Sequence, residues 1–221
     1  MRVPLPTHQN DRLSELQSYC ILDTDPEPCF DRITRLAAQI FSTPLAALSL
    51  VDGARLWFKS AFGVDVREIP CEQTFSAQIS GHEPLIVLDP LGDPRFRDIP
   101  CVATQPGVRF YAGMPLVAPG GVRLGTLSVL DTKVRLFVTD EQMLALKDLA
   151  EIVVSELEQR RLRLEAERTV TQLRLFESAL NNASDSIVIV SKTGEWGDAD
   201  QGEPVVRYVN KAFMQLGNEC C

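Results

Sequence analysis

The sequence predicts an α+β fold: antiparallel β-hairpins packed against helices, then a long connector helix and an incomplete β-hairpin. Three features lead to it. Two strand–turn–strand patterns centre on Asp52-Gly53 and on Pro119-Gly120-Gly121. Phe30, Ile33, Leu36, Ala37, Ile40 and Phe41 form an apolar stripe of helical period. From Asp140 to about residue 181 neither Pro nor Gly interrupts a helical pattern.

Residues 10–18 place Leu13 and Leu16 on one helical face. Asp25 suits the cap and Pro26 the first position of the next helix, which Pro44 ends. LAALSLVD (45–52) is a nearly continuous apolar run, fit for a central strand, and RLWFKSAFG is its hairpin partner. Residues 64–74 read as loop, FSAQIS (75–80) as one or two helical turns stopped by Gly81, and LIVLD (85–89) as a short strand. The segment after it is loop, with a helical turn capped by Asp93.

The second hairpin joins FYAGMPLVA (110–118) to VRLGTLSVLD (122–131). Alternation puts Leu124, Thr126, Ser128 and Leu130 on one face and Gly125, Leu127 and Val129 on the other. Gly113 and Gly125 signal close approach of a backbone or ligand, or a packing glycine. Thr139-Asp140-Glu141-Gln142 is a capping box. The helix it opens carries Leu146, Leu149, Val153 and Leu157 at core spacing, and then a polar stretch, EQRRLRLEAER. Leu162, Ala166, Thr169, Leu173, Phe176 and Leu180 follow in alternating steps of four and three, the seam of a parallel dimer stalk. Such a helix of ~40 residues is about 60 Å long. Beyond it, SIVIVS (186–191), PVVRYVN (204–210) and KAFMQLG make two strands and a short helix, too little for an independent domain.

The chain has 221 residues, 45% hydrophobic and 24% charged, an ordinary globular composition. At ~150 residues per domain that is about one and a half domains. The pattern divides it into a first domain over 1–160, a helical linker over 161–181 and a fragment over 182–221. Thirteen Gly and fourteen Pro exclude a collagen-like or disordered chain. No run nears the ~18 apolar residues of a membrane span. The opening MRVPLPTHQND lacks the apolar centre of a secretory signal, so a cytoplasmic protein without membrane insertion is expected. With 22 basic against 30 acidic residues the net charge is −8, which argues against nucleic acid as a partner.

Catalytic signatures are absent: no glycine-rich phosphate loop, H-E-x-x-H, G-x-S-x-G or kinase motif. His8 lies in the N-terminal stretch and His82 in a solvated GHEP turn beside Glu83. The six cysteines, at 20, 29, 71, 101, 220 and 221, contain no CxxC, and the adjacent Cys220 and Cys221 are ill-suited to a disulfide. With two histidines and no ligand spacing, no metal site is expected. One thiol hypothesis stands: Cys71 and Cys101 form a redox pair if their loops meet.

The ordered segments YCILDTDPEPCFDRITRLAAQIFSTPLAALSLVDGARLWFKSAFGVDVREIP, DPRF, VRFYAGMPL and LGTLSVLD resemble a GAF domain of the bacterial sensory subgroup, over about residues 10–160. The resemblance implies a central antiparallel sheet with the first and last helices on one face. On the other, loops and short helices close a small-molecule pocket. Its lining would be drawn from Trp57, Phe75, Ser76, Gln78, Phe110, Tyr111, Met114 and Thr126. After the R-E-x-P loop this subgroup reads S-F-C-A-H-A-I; here the segment is Thr74-Phe75-Ser76-Ala77-Gln78-Ile79-Ser80. A hydroxyl and an amide replace thiol and imidazole, which disfavours a covalent bilin, haem or zinc. The tail ALNNASDSIVIVSKTGEW…VVRYVNKAFMQLG resembles the opening of a PAS domain, cut short.

Together these resemblances imply the non-catalytic input region of a bacterial sensor protein. A ligand in the pocket would act through a dimeric helix on a downstream output domain, a histidine kinase or diguanylate cyclase. The alternatives are a ligand-free dimerisation and relay module, and a thiol redox enzyme or sensor using Cys71 and Cys101.

Overall fold

The computed structural model describes residues 9–79, 81–183, 185–192 and 204–218. His8, the acidic turn over 193–203 and the pair Cys220 and Cys221 lie outside them. The chain divides into two compact units, Met1–Arg161 and Leu162–Cys221.

The first unit opens with α1 (Gln9–Ser18) and α2 (Pro28–Phe41). The hairpin β1 (Leu45–Asp52) and β2 (Arg55–Phe62) follows, then β3 (Glu68–Pro70) and two 3₁₀ turns, Cys71–Gln73 and Phe75–Gln78. Next come β4 (Leu85–Val87), α3 (Pro100–Ala103), the hairpin β5 (Phe110–Val117) and β6 (Arg123–Asp131), and α4 (Asp140–Asn182). The six strands make one antiparallel sheet, ordered β3-β2-β1-β6-β5-β4.

One face of this sheet builds the main core. Leu48 and Leu50 of β1, Phe110 and Leu116 of β5, and Leu127 and Val129 of β6 meet Leu16 of α1 and Phe30, Ile33 and Phe41 of α2. From α4 come Leu146, Leu149, Val153 and Leu157, the residues expected at core spacing. The stripe on α2 is narrower than its sequence suggested: Leu36 and Ile40 stay exposed. The helix also starts at Pro28 rather than Pro26: Glu27 precedes a proline, which disfavours helical backbone there, and it is extended at φ −124°, ψ 125°. At α4 both bonds of the capping box form: the Thr139 hydroxyl accepts from the Gln142 backbone N–H, and Gln142 Oε1 accepts from the Thr139 backbone N–H, each at 3.2 Å.

A polar junction ties the sheet to α4. The side chain of Lys59 on β2 is fully buried, and its ammonium donates to Thr24 Oγ1, Asp25 O and Glu27 Oε1, each at 2.7 Å. Three acceptors match three N–H donors, which is what makes a buried lysine tolerable. Glu27 also takes the guanidinium of Arg160 on α4 at 3.0 Å, and Arg160 donates on to the carbonyls of Tyr19 and Cys20. The Tyr19 hydroxyl bonds Glu158; burial and that carboxylate hold it protonated far above its ordinary range.

In the second unit, β7 (Val188–Lys192) and β8 (Pro204–Val209) pair antiparallel, followed by α5 (Lys211–Asn218). Asn210 between β8 and α5 is fully buried and uses its whole amide. Its Oδ1 accepts from Ile187 N–H (2.9 Å) and Phe213 N–H (3.1 Å), and its Nδ2 donates to Leu180 O (3.0 Å) and Asp185 O (2.8 Å). One side chain thereby caps α5, pins the strand start and closes the end of α4. Along α4, the seam residues Leu162, Leu173 and Phe176 are 56%, 62% and 65% exposed. Among the described residues no helix is long and apolar enough to cross a membrane.

Lys59→Met removes the ammonium and leaves Glu27, Thr24 and the Asp25 carbonyl short of a donor. The expected loss is about 2–3 kcal/mol, read as a fall of roughly 5–10 °C in thermal midpoint for a unit of this size. An unchanged midpoint would show that the junction contributes nothing to stability.

Candidate ligand site

A strand exposes alternate residues on opposite faces, so Phe110 and Tyr111 cannot share one. Phe110, Ala112 and Leu116 enter the helix-side core; Tyr111 turns to the other face and joins a second, smaller core with Phe75, Val87, Phe96, Ile99, Val102 and Val108. Phe75, on the second 3₁₀ turn, stacks on the Tyr111 ring with centroids 4.3 Å apart and planes 11° apart, and on Phe96 at 5.2 Å. The Tyr111 phenol lies across Gly113, where any side chain would overlap it. At Gly125 a side chain would overlap the Ser49 carbonyl of β1. Both strand glycines therefore mark close approach by the protein's own atoms.

On β6 a bulge decides the chemistry. Leu116 pairs with Gly125 and Val117 with Arg123, so Leu124 is an extra residue. Simple alternation put Leu124 with Thr126 and Ser128; the bulge sends it into the helix-side core instead. Arg123 then reaches the covering segment: Nη1 donates to Ile79 O at 2.8 Å and Nη2 to Ser76 O at 3.4 Å. Ser49 and Ser128 spend their hydroxyls on backbone carbonyls, of Thr126 (3.2 Å) and Ala47 (3.3 Å).

Among the described residues, two buried oxygens have no hydrogen-bond partner, the Tyr111 hydroxyl and Thr126 Oγ1. Tyr111 is 3% exposed and Thr126 0%. An unpaired buried hydroxyl costs about 1–3 kcal/mol, so the pair marks a place where something else is gained. Burial pushes the Tyr111 phenol above its ordinary range, opposed by Ser76, Arg123 and Ser128 nearby. Burial lowers the pKa of Arg123, and neighbouring Arg12 lowers it further.

Of the eight residues expected to line the pocket, Phe75, Ser76 and Tyr111 come together, and Thr126 is buried with its hydroxyl free. Gln78 is exposed. Trp57 and Phe110 are corrected: strand parity puts both in the helix-side core, while Met114 packs against that core and lines a cavity between β5 and α4. Cys71 opens the first 3₁₀ turn and Cys101 lies on α3; both are free thiols. Cys71 is half-buried and Cys101 exposed; partial desolvation raises the pKa of each, in Cys71 against the pull of Arg12, Arg123 and Thr74. His82 is exposed, its Nε2 2.9 Å from Gly121 O, on the rim of a cavity of about 520 Å³ between residues 82–84, β5 and α4. Among the described residues no cluster of three or more His, Cys, Asp or Glu could hold a metal.

Sequence reasoning missed Arg123 and Arg12. The glycines at 120, 121 and 125, flanking Arg123, were the only local sign that the strand's parity would break there.

The GAF domain family model matches residues 25–157, more than half of the chain. A cyclic di-GMP phosphodiesterase of Pseudomonas aeruginosa, PA2567, is 34% identical over 155 residues, covering 70% of this chain. The chain spans 26% of that relative's length. Among solved structures, a domain attributed to a two-component sensor histidine kinase of Sinorhizobium meliloti 1021 aligns with TM-score 0.50 at 19% identity, over 63% of this chain and 94% of that one. At that identity the likeness is one of fold. The free methionine-R-sulfoxide reductase of Neisseria meningitidis aligns with TM-score 0.49 at 18% identity, over 74% of this chain and 98% of its own.

A thiol whose pKa is raised in the folded state is less ionised at every pH around it. Alkylation of Cys71 and Cys101 by iodoacetamide, followed by peptide mass spectrometry, should therefore show rate midpoints above 9, the ordinary thiol value here. A midpoint near 7 at either residue would revive the redox reading.

Proposed function

This chain belongs to the GAF domain family, a sensory and regulatory fold typical of signalling proteins, and from that premise we propose a non-catalytic ligand sensor. A small molecule binds on the second face of the sheet, beneath Phe75 and beside Tyr111, Ser76, Thr126 and Arg123. The observation that carries this reading is the pair of buried hydroxyls without partners, Tyr111 and Thr126. A ligand with polar atoms would supply what the protein withholds. The raised thiol pKa values weigh against the redox alternative.

The relay runs through α4. Its link to the sheet is the Lys59–Glu27–Arg160 junction, and a ligand biases the helix only by binding its two states unequally. Domain limits of 1–160, 161–181 and 182–221 fit this division of labour. The closing segment is the opening of a PAS-like fold, a reading supported by the hub at Asn210 within its YVN-x-AF sequence. Downstream lies an output domain. The similarity to a cyclic di-GMP phosphodiesterase favours one that acts on cyclic dinucleotides.

Native mass spectrometry of the purified chain tests the ligand reading, backed by thermal shifts against a metabolite panel. Wild type should carry or acquire a small molecule, and a Tyr111→Phe, Thr126→Val double variant should bind it about tenfold or more weakly, given two lost hydrogen bonds. Absence of any bound mass and any shift would contradict it.

The ligand-free reading, a dimerisation element, rests on a separate observation: the exposed seam of Leu162, Leu173 and Phe176. Sedimentation should find a dimer that Leu173→Glu with Phe176→Glu converts to monomer, with the first unit melting as before. A monomeric wild type removes the stalk from both readings.

A further inference from the structure

Among the described residues, no carboxylate pairs with the positive charge on the second face of the sheet. Arg55, Arg95, Arg135, Arg160 and Arg161 each pair with an acid. Arg123 does not: two of its five N–H groups go to the carbonyls of Ile79 and Ser76. Arg12, on α1, lies within electrostatic reach of both Arg123 and Cys71. Its Nε is buried with no hydrogen-bond partner, the same condition as the Tyr111 hydroxyl.

Among the described residues, the groups nearest Arg12 and Arg123 do not supply a negative charge. Cys71 would do so as a thiolate, but its burial favours the neutral thiol. The Tyr111 phenol is likewise held protonated, and so remains a donor. Two guanidinium ions and the phenol O–H of Tyr111 thus lie within electrostatic reach of one another, all donors. A neutral ligand would satisfy the hydroxyls and leave the like charges opposed.

We propose that this corner of the pocket binds the oxyanion of a small acidic ligand, a carboxylate or a phosphate, with Arg12, Arg123 and Tyr111 as its donors. Such a group has two or three acceptor oxygens, takes charge-assisted bonds from guanidinium, and offsets the repulsion between the arginines. Arg123 is anchored to the covering segment through Ser76 and Ile79, so anion binding also steadies that segment over the site. The inference rests on the ligand reading above and adds the ligand's charge.

The test is a thermal-shift and calorimetric titration of the full chain with inorganic phosphate and, separately, succinate, each at ionic strength matched with sodium chloride. One of the two should give a saturable rise in midpoint, and which one does so distinguishes phosphate from carboxylate. Arg12→Gln and Arg123→Lys should weaken it about tenfold or more, and Tyr111→Phe by a smaller factor, since a neutral donor contributes less than a charged one. Arg12 is half-buried and repels Arg123, so Arg12→Gln should melt no lower than wild type without anion and decides the matter if Arg123→Lys fails to fold. No saturable response to either anion, or one that persists undiminished in folded Arg12→Gln, overturns the inference. If native mass spectrometry meanwhile finds a neutral ligand whose binding needs Tyr111, the pocket reading survives alone. If it finds none, both fall.

Discussion

The period of two along β5 and β6 is the constraint on which the molecule depends. It sorts each strand into a side that packs against α1, α2 and α4 and a side that does not. The helix-side residues, Phe110, Ala112, Leu116, Leu127 and Val129, are apolar and fully buried. The other side bears Tyr111, Gly113, Thr126 and Ser128, small or polar apart from the tyrosine. That face closes over a smaller core built on Tyr111 with Phe75, Val87, Phe96, Ile99, Val102 and Val108. It is covered by short turns and a stack of Phe75 on Tyr111, and two hydroxyls remain unpaired beneath them. The bulge at Leu124 adds the one basic group that strict alternation would have sent to the helices.

The opposite face solves a different problem. Lys59 occupies a strand position that faces the helices, where a bare ammonium would be costly. Its three acceptors come from the loop before α2, and one of them, Glu27, is shared with Arg160. The junction is therefore more than local satisfaction of a buried charge. It makes the position of the α1–α2 loop depend on β2 and on α4 together, while Tyr19 and Glu158 lock the same two elements by a second route. In a proposed sensor, one sheet thus has the ligand on one side and the connection to its long helix on the other.

Local chemistry made much of this legible in the sequence. The Asp52-Gly53 turn, the Thr139 capping box and the core spacing of Leu146 to Leu157 each have a short-range cause, and each occurs in the structure. The candidate site was legible only in part. Phe75, Ser76, Tyr111 and Thr126 lie on elements legible in the sequence, whereas strand parity separates Trp57 and Phe110 from Tyr111. Arg123 escaped because a bulge is a pairing defect between two strands, and pairing register is not local to either. Arg12 escaped because its neighbours, Cys71 and Arg123, are distant in sequence. The start of α2 has a local cause instead, the extended backbone of Glu27 before Pro28.

The central claim is that occupancy of the Tyr111 face reaches α4 through the shared sheet. Hydrogen exchange of the same chain with its pocket filled and empty measures this most directly. The account predicts that filling slows exchange in residues 75–79 and 111–128, and that exchange in residues 19–27 and 153–161 changes with the same dependence on ligand concentration. Protection confined to 75–79 and 111–128, with 153–161 unchanged at saturation, would contradict it.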